Sequence, residues 1–114
     1  MSIDHIDVSD RLRRVMLGGR LDIVGTEEIA LQFAALTASG KHRVVVDLSA
    51  VSYLASIGIR AIVANARAMQ ARGTRLVLFV GNNELVAQTL EVTGIDGVIP
   101  MLRDLALADE AALA

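Results

Sequence analysis

The sequence predicts an α/β fold in a single domain that spans residues 1–114. Two short segments near its start alternate apolar and polar residues, as the strands of a hairpin do. Apolar, β-branched runs follow at 43–48 and 75–80, and segments with helical periodicity flank them. Strand–helix alternation favours parallel pairing through right-handed crossovers. We therefore predict the order ββαβαβαβα: a mixed β-sheet with an antiparallel N-terminal hairpin at one edge and helices packed on it.

The predicted hairpin pairs residues 3–8 with residues 12–18 across a turn at 9–11. Gly18 and Gly19 are predicted to end the second strand, because glycine weakens a strand interior, and a short loop follows.

The first helix is predicted to begin at Thr26, a favoured N-cap residue, and to run to about Ser39. Gly40 then ends it, since glycine readily adopts the left-handed conformation found after helices. The predicted apolar face of this helix consists of Ile29, Leu31, Phe33 and Leu36.

The run at 43–48 predicts a central strand covered on both faces, followed by a loop from Ser49 to Ala55. The clearest helix is predicted over 57–72, with Ser56 as its N-cap. Apolar positions recur along it at helical spacing: Ile59, Ile62, Val63, Ala66 and Met69. The remaining predicted elements are a strand at 75–80, a helix at 84–93, a strand at 98–100 and a helix at 103–114.

Composition and charge exclude several classes of function. The net charge is −2 and only 3% of the residues are aromatic, whereas nucleic-acid binders have clustered cations and stacking aromatics. The absence of cysteine excludes disulfides and thiol catalysis. No stretch approaches the ~18 apolar residues of a membrane helix, and no apolar targeting segment opens the chain. We expect a cytoplasmic protein without nucleic-acid partners or direct membrane insertion.

Catalytic and cofactor-binding arrangements are also missing from the sequence. The two histidines, His5 and His42, are far apart and lack metal-ligand spacing, and there is no Gly-rich phosphate loop. We therefore expect a protein that is not an enzyme and that holds no metal and no cofactor.

Ser56 is the residue whose position suggests chemistry. A phosphoryl group on Ser56 would meet free N–H groups and the positive end of the following helix. The alternative interpretation is a structural cap without modification.

Three charged residues accompany Ser56. Arg60 lies in the first turn of the same helix, where a cation opposes the helix dipole unless an acidic group or phosphate offsets it. Arg60 and Arg67 share a helix face, which is either solvated or a docking strip for an acidic protein surface. Asp22 is either an ordinary turn residue or a carboxylate that orients a hydroxyl or holds a metal ion.

Three stretches resemble the STAS family, which contains the anti-sigma-factor antagonists. Residues 19–22 (GRLD) resemble the family motif G-x-L-D, and residues 44–54 (VVVDLSAVSYL) resemble its apolar strand with D-L-S-x-V-x-F/Y-L/M. Residues 55–59 (ASIGI) stand where the family has D-S-S/T-G-L/I. Residues 73–78 and 90–95 fit the fourth strand and the end of the third helix. The resemblance covers essentially the whole chain.

The resemblance implies a regulatory binding protein. It implies that the partner is an anti-sigma factor that is often also a serine kinase, that Ser56 is the phosphorylated serine, and that phosphorylation ends binding. Asp22 matches the family aspartate near that serine. The residues expected to form the partner-binding surface are Asp22, Ala55, Ser56, Ile57, Gly58, Arg60 and Arg67.

The sequence departs from the motif at Ala55, which replaces an aspartate, and at Ile57, which replaces a hydroxyl residue. Either the kinase tolerates these changes, or the domain binds its partner constitutively. The alternative function is an unphosphorylated STAS scaffold subunit of a lipid-transport ABC system or of a sensory complex. Weak nucleotide binding at the edge that contains Asp22 and Ser56 is compatible with either function, and the oligomeric state stays open.

Overall fold

The computed structural model describes residues 1–114. Its strands are β1 (Ser2–Asp7), β2 (Leu12–Leu21), β3 (Arg43–Leu54), β4 (Leu76–Phe79) and β5 (Met101–Leu102). Its helices are α1 (Ile23–Thr37), α2 (Ser56–Ala71), α3 (Glu84–Val92) and α4 (Leu105–Leu113), with a 3₁₀ turn at Ile95–Gly97.

The five strands form one mixed sheet in the order β1-β2-β3-β4-β5. The edge strand β1 pairs antiparallel with β2, and every other neighbouring pair is parallel. The predicted fold class, the N-terminal hairpin and the parallel pairing of the two apolar runs are therefore confirmed.

The central strands bury side chains on both faces of the sheet, because successive residues of a strand point to opposite sides. Val44 and Val46 belong to a large core under α1, α2 and α3. Val45, on the other face, packs with Val77 and with Ala108 and Ala112 of α4. Helices thus cover both faces, as the apolar runs predicted.

Strands β2 and β3 extend beyond their predicted ends. Gly18 and Gly19 continue β2, paired with Ala50 and Val51 of β3, and the predicted loop from 49 to 55 is mostly strand. Two register shifts accompany the extension. Because they make the pairing irregular, the extended part of the strand does not show the regular alternation of apolar and polar residues that predicts a strand. At Gly18 a Cβ atom would lie 2.7 Å from Ser2 Oγ, so a larger residue would require the Ser2 side chain to rotate away.

The beginning of α1 and part of its predicted apolar face were wrong. Asp22, not Thr26, is the N-cap, and Thr26 is buried in the first turn. Of the predicted apolar face, Ile29 and Phe33 are fully buried against the sheet, whereas Leu31 is 89% exposed.

The C-terminal elements differ from prediction only in their bounds. Strand β5 lies at Met101–Leu102 rather than at 98–100, because the 3₁₀ turn occupies the preceding residues. Helix α4 is confirmed, and Asp104 caps it.

No helix in the structure has the length and apolar character needed to span a bilayer.

We predict that Gly25→Ala destabilises the protein. A Cβ atom at Gly25 would lie 1.9 Å from the Arg20 carbonyl oxygen, a backbone atom. Overpacking costs about 1–3 kcal/mol, which outweighs the ~1 kcal/mol by which alanine favours a helix over glycine. Urea unfolding should show a lower midpoint. The control is Gly97→Ala, where no atom lies within 4 Å of the added Cβ and the midpoint should stay nearly constant. An unchanged Gly25→Ala midpoint would contradict the packing described here.

Candidate functional site

The candidate site lies where β2 and β3 end at the same edge of the sheet. Leu21 is the register partner of Leu54, and the Ala55 N–H donates to the Leu21 carbonyl oxygen at 3.0 Å. Because the strands are parallel, Asp22 and Ser56 follow directly at one edge. The structure thus brings together the two polar residues that the sequence analysis singled out.

Gly58 lets the first turn of α2 lie against the end of β2. It is buried, and a Cβ atom there would be 3.0 Å from both the carbonyl oxygen and the Cβ of Leu21. A larger residue would push α2 away from the sheet. Gly58 therefore contributes to the site by allowing the close packing that positions Ser56.

Ser56 is the first residue of α2 and not its N-cap, so that prediction was wrong. Position 55 is the N-cap, and Ala55 has no side-chain oxygen to accept a hydrogen bond. The reason is the extension of β3 to Leu54, which leaves a single residue between strand and helix. The other α-helices are side-chain capped, by Asp22, Asn83 and Asp104.

Without a side-chain cap, the first N–H groups of α2 have no hydrogen-bond acceptor from the N-cap residue. The first intrahelical bond runs from the Ile59 N–H to the Ala55 carbonyl at 3.1 Å. The N–H groups of Ser56, Ile57 and Gly58 precede that bond and have no partner within the helix. Ser56 is exposed, and its hydroxyl lies beside these donors at the positive end of the helix.

The Asp22 carboxylate is already engaged. Its Oδ1 accepts from the Gly25 N–H at 2.9 Å, and its Oδ2 accepts from Arg20 Nε at 3.3 Å. The Gly25 hydrogen bond, assisted by Arg20, holds the pKa of Asp22 below its ordinary value. Asp22 therefore contributes a fixed negative charge to this edge while it caps α1.

Arg20 and Tyr53 form a cation–π pair that the sequence analysis did not find. The guanidinium carbon of Arg20 lies 4.5 Å from the centre of the Tyr53 ring, and the two residues are register partners. Arg20 lies two residues before Asp22, and Tyr53 lies two residues before Ala55, the residues that directly follow the ends of β2 and β3. That equal spacing was the signal available in the sequence, since parallel strands that end together place such residues side by side.

Exposed apolar side chains lie at the same edge of the sheet as Ser56. Ile23 and Val24, in the first turn of α1, are 62% and 64% exposed, and Tyr53 is 42% exposed. Ile57 is half-buried beside them. We call the set Asp22, Ile23, Val24, Tyr53, Ala55, Ser56, Ile57 and Arg60 the Ser56 surface. It combines apolar contact area with a few charges, as the cores of protein interfaces do.

The two candidate arginines of α2 lie in different places. Arg60 is exposed four residues after Ser56, so the two side chains are neighbours on the helix face. Arg67 is eleven residues after Ser56, about 16 Å along the axis at a rise of 1.5 Å per residue. It lines a cleft at the opposite edge of the sheet.

The sequence matches the family described as "Mlab, STAS domain" over residues 5–104, and the chain belongs to the STAS family. We found no match among the curated proteins.

Solved structures share the fold over nearly the whole chain. An anti-sigma factor antagonist from Mycobacterium paratuberculosis superposes with a TM-score of 0.85 at 24% identity, over 99% of this chain and 96% of the other. The unphosphorylated form of the anti-sigma factor antagonist SpoIIAA gives 0.76 at 16% identity, over 99% and 98%. The phosphorylated form of SpoIIAA, a Bacillus cell fate determinant, gives 0.69 at 15% identity, over 96% and 99%. At these identities the likeness establishes the fold.

We predict that the Asp22 charge stabilises the protein except in acid. Because the folded-state pKa lies below the ordinary 3.8, the contribution is complete above that value and is lost as the pH falls through the folded-state pKa. Asp22→Asn keeps a capping oxygen but loses the charge. Its melting temperature should be lower than that of the wild type at neutral pH, and the difference should shrink below about pH 4.

The control for this measurement is Asp22→Ala, which loses the cap as well as the charge. It should melt below Asp22→Asn throughout the pH range. A wild-type-to-Asp22→Asn difference that stays constant into acid would mean that the carboxylate charge is not involved.

Proposed function

We propose that the protein is a cytoplasmic, non-enzymatic regulator that resembles the anti-sigma-factor antagonists. It binds an anti-sigma factor that is also a serine kinase through the Ser56 surface, and phosphorylation of Ser56 ends the binding. The observation that carries this proposal is the exposed Ser56 hydroxyl at the uncapped N-terminus of α2. The likeness to solved antagonists, one of them in phosphorylated and unphosphorylated forms, supports it.

A phosphate on Ser56 is compatible with the folded protein. It adds a charge of about −1.5 to −2, which the free N–H groups and positive end of α2 favour. Arg60, one helical turn away, is a second favourable charge. Asp22 opposes the phosphate, although its charge is partly neutralised by Arg20 and by the Gly25 N–H. The balance of these contacts favours a modified serine on an intact helix.

The same phosphate is unfavourable in a complex. Ile23, Val24 and Ile57 give the edge that contains Ser56 an apolar character, and a partner seated on them removes water from the modified serine. Burying a charge without a matched partner is costly. The phosphate therefore weakens binding through desolvation and repulsion and leaves the fold unchanged.

The substitution of the motif aspartate by Ala55 has a physical consequence for this mechanism. An aspartate at the N-cap position would accept from the N–H groups of α2 and repel an incoming phosphate. With Ala55, those donors stay available to the phosphate alone. We therefore propose that the departure from the motif preserves the modification site and strengthens the contact between the phosphate and the helix.

Gly58 and Arg60 have separate roles in the proposed interface, whereas we place Arg67 outside it. Gly58 sets the position of Ser56, and Arg60 contacts an acidic group of the partner when Ser56 is unmodified. The strip from Arg60 to Arg67 runs away from the Ser56 surface along α2, and we propose that the partner contacts its Arg60 end.

The second candidate function is an unphosphorylated STAS subunit of a transport complex. The observation that favours it is the description of the matching family, which names Mlab. In that case the Ser56 surface contacts a subunit constitutively, and the charge of residue 56 is not used as a switch.

We predict that Ala55→Asn stabilises the protein by about 1 kcal/mol, the usual gain from a side-chain N-cap. The new side chain accepts an N–H of the first turn without adding charge near Asp22. The matched control is Ala64→Asn in the exposed interior of α2, where the lower helix propensity of asparagine should cost about 0.5 kcal/mol. Urea unfolding should therefore move in opposite directions for the two variants. Equal shifts would show that the N-terminus of α2 is already satisfied.

We predict that Ser56→Asp weakens partner binding at least tenfold relative to Ser56→Ala. Neither change removes a cap, so both variants should unfold within about 0.5 kcal/mol of the wild type. The partner is isolated by affinity capture on Ser56→Ala, identified, and titrated against the variants. Gln88→Glu, which adds one negative charge on α3, is the control and should bind like the wild type.

The identity of the captured protein separates the two candidate functions. A serine kinase that modifies Ser56 and discriminates between the variants supports the switch. Capture of an ABC ATPase or permease, with equal affinity for wild type and Ser56→Asp, supports the transport subunit and refutes the switch.

A further inference from the structure

A cleft with a volume of about 530 Å³ lies at the amino ends of β3, β4 and β5, the edge opposite the Ser56 surface. The second half of α2 forms one wall, and the segment before β5 forms another. Clefts of 300–1,000 Å³ are the usual size for small-molecule sites. The cleft is therefore large enough for a small organic ligand.

Three arginines line this cleft: Arg43, Arg67 and Arg75. None of them forms a salt bridge with an acidic side chain, and the thirteen lining residues include no aspartate or glutamate. The acidic group in the lining is the main-chain carboxylate of Ala114, which lies beside Arg43. The protein as a whole has a net charge of −2, so a cluster of three arginines, of which Arg67 and Arg75 have no acidic partner, departs from its average surface. This cluster makes the cleft locally electropositive.

Most of the arginine donors remain free. Arg43 Nη1 donates to the carbonyl oxygen of Ala112 at 3.2 Å and to a main-chain oxygen of the last residue, Ala114, at 3.5 Å, and Arg75 Nη1 donates to the carbonyl oxygen of Ala111 at 3.0 Å. These bonds hold both side chains in place at the end of α4. A guanidinium has five N–H donors, so each keeps several, and Arg67 makes no hydrogen bond within the protein. Free guanidinium donors match the oxygens of a carboxylate or phosphate.

The cleft also has apolar walls, beside the polar residues Gln70 and Thr74. Val63, Ala66, Leu76, Val98, Ile99 and Pro100 contribute to its walls. Val98 is 64% exposed, although large aliphatic residues favour burial. Inorganic phosphate alone would leave the exposed parts of Val63, Ala66 and Val98 in water, whereas an apolar group attached to the anion would cover them.

We propose that this cleft binds a small organic anion, a carboxylate or a phosphate monoester on an apolar body. Arg67 binds the anionic group, Arg43 and Arg75 supply a supporting positive field, and the apolar body lies along Val63, Ala66 and Val98. The site is independent of the proposed partner interface, because it lies at the opposite edge of the sheet and uses different side chains.

The test is calorimetric titration of the full chain with four probes: octanoate, octyl phosphate, inorganic phosphate and octanol. At least one of the two amphipathic anions should bind with a Kd below about 1 mM. Inorganic phosphate and octanol should each bind at least tenfold more weakly than that anion, because each lacks one of the two required features. Failure of both amphipathic anions to bind would overturn the proposal, as would equal binding of either single-feature probe.

Variants locate the binding site. Arg67→Ala should lower the affinity for the better anion at least tenfold, and a melting curve checks that the variant stays folded. The matched control is Arg72→Ala, an exposed arginine at the end of α2 that does not line the cleft, and its affinity should stay within twofold of the wild type. Equal losses in the two variants, or no loss in Arg67→Ala, would assign the binding to general surface charge and refute the site.

Discussion

The parallel pairing of β2 with β3 along their full length is the constraint on which the functional edge depends. The pairing continues through two register shifts to Leu21 and Leu54 and closes with the Ala55 N–H on the Leu21 carbonyl. Because both strands end level, α1 and α2 begin side by side, and Gly58 permits the close approach. If β3 ended at Leu48, where the apolar run at 43–48 ends, Asp22 and Ser56 would lie on separate loops without a fixed relation.

The two helix N-termini at this edge differ in one respect that matters for function. The carboxylate of Asp22 accepts a hydrogen bond from the Gly25 N–H, so the N-terminus of α1 is already capped within the protein. Ala55 leaves α2 without a side-chain acceptor, and the free donors lie next to an exposed hydroxyl. A protein selected only for stability would place a capping residue at position 55, since such a cap contributes about 1 kcal/mol. The edge therefore combines the capped N-terminus of α1 with the uncapped N-terminus of α2, whose free N–H groups can interact with an anion.

The sequence predicted those features that depend on local pattern and missed those that depend on pairing between distant segments. The burial of β3 on both faces follows from its continuous apolar run, and the buried face of α2 follows from period-3.6 spacing; the structure confirms both. Thr26 and Asp22 are both favoured caps, and only the end of β2 decides that Asp22 is used. Likewise serine is the better cap at 55–56, but the extension of β3 to Leu54 makes Ala55 the cap. The arginine cleft joins three residues that no single motif connects.

Ser56 and the arginine cleft lie toward opposite ends of α2, and this separation limits how each can act. A phosphate at residue 56 interacts with the first-turn N–H groups and with Arg60, and these interactions weaken within about a turn and are screened over roughly 10 Å. Arg67 lies beyond that range, about 16 Å along the helix. Electrostatic coupling between the two places is therefore weak, and a ligand in the cleft influences the Ser56 surface only by moving α2 as a body. Since Ile59, Ile62 and Met69 anchor α2 in the core along its whole length, such a movement is opposed by packing at each turn. The two proposed sites are therefore expected to operate independently.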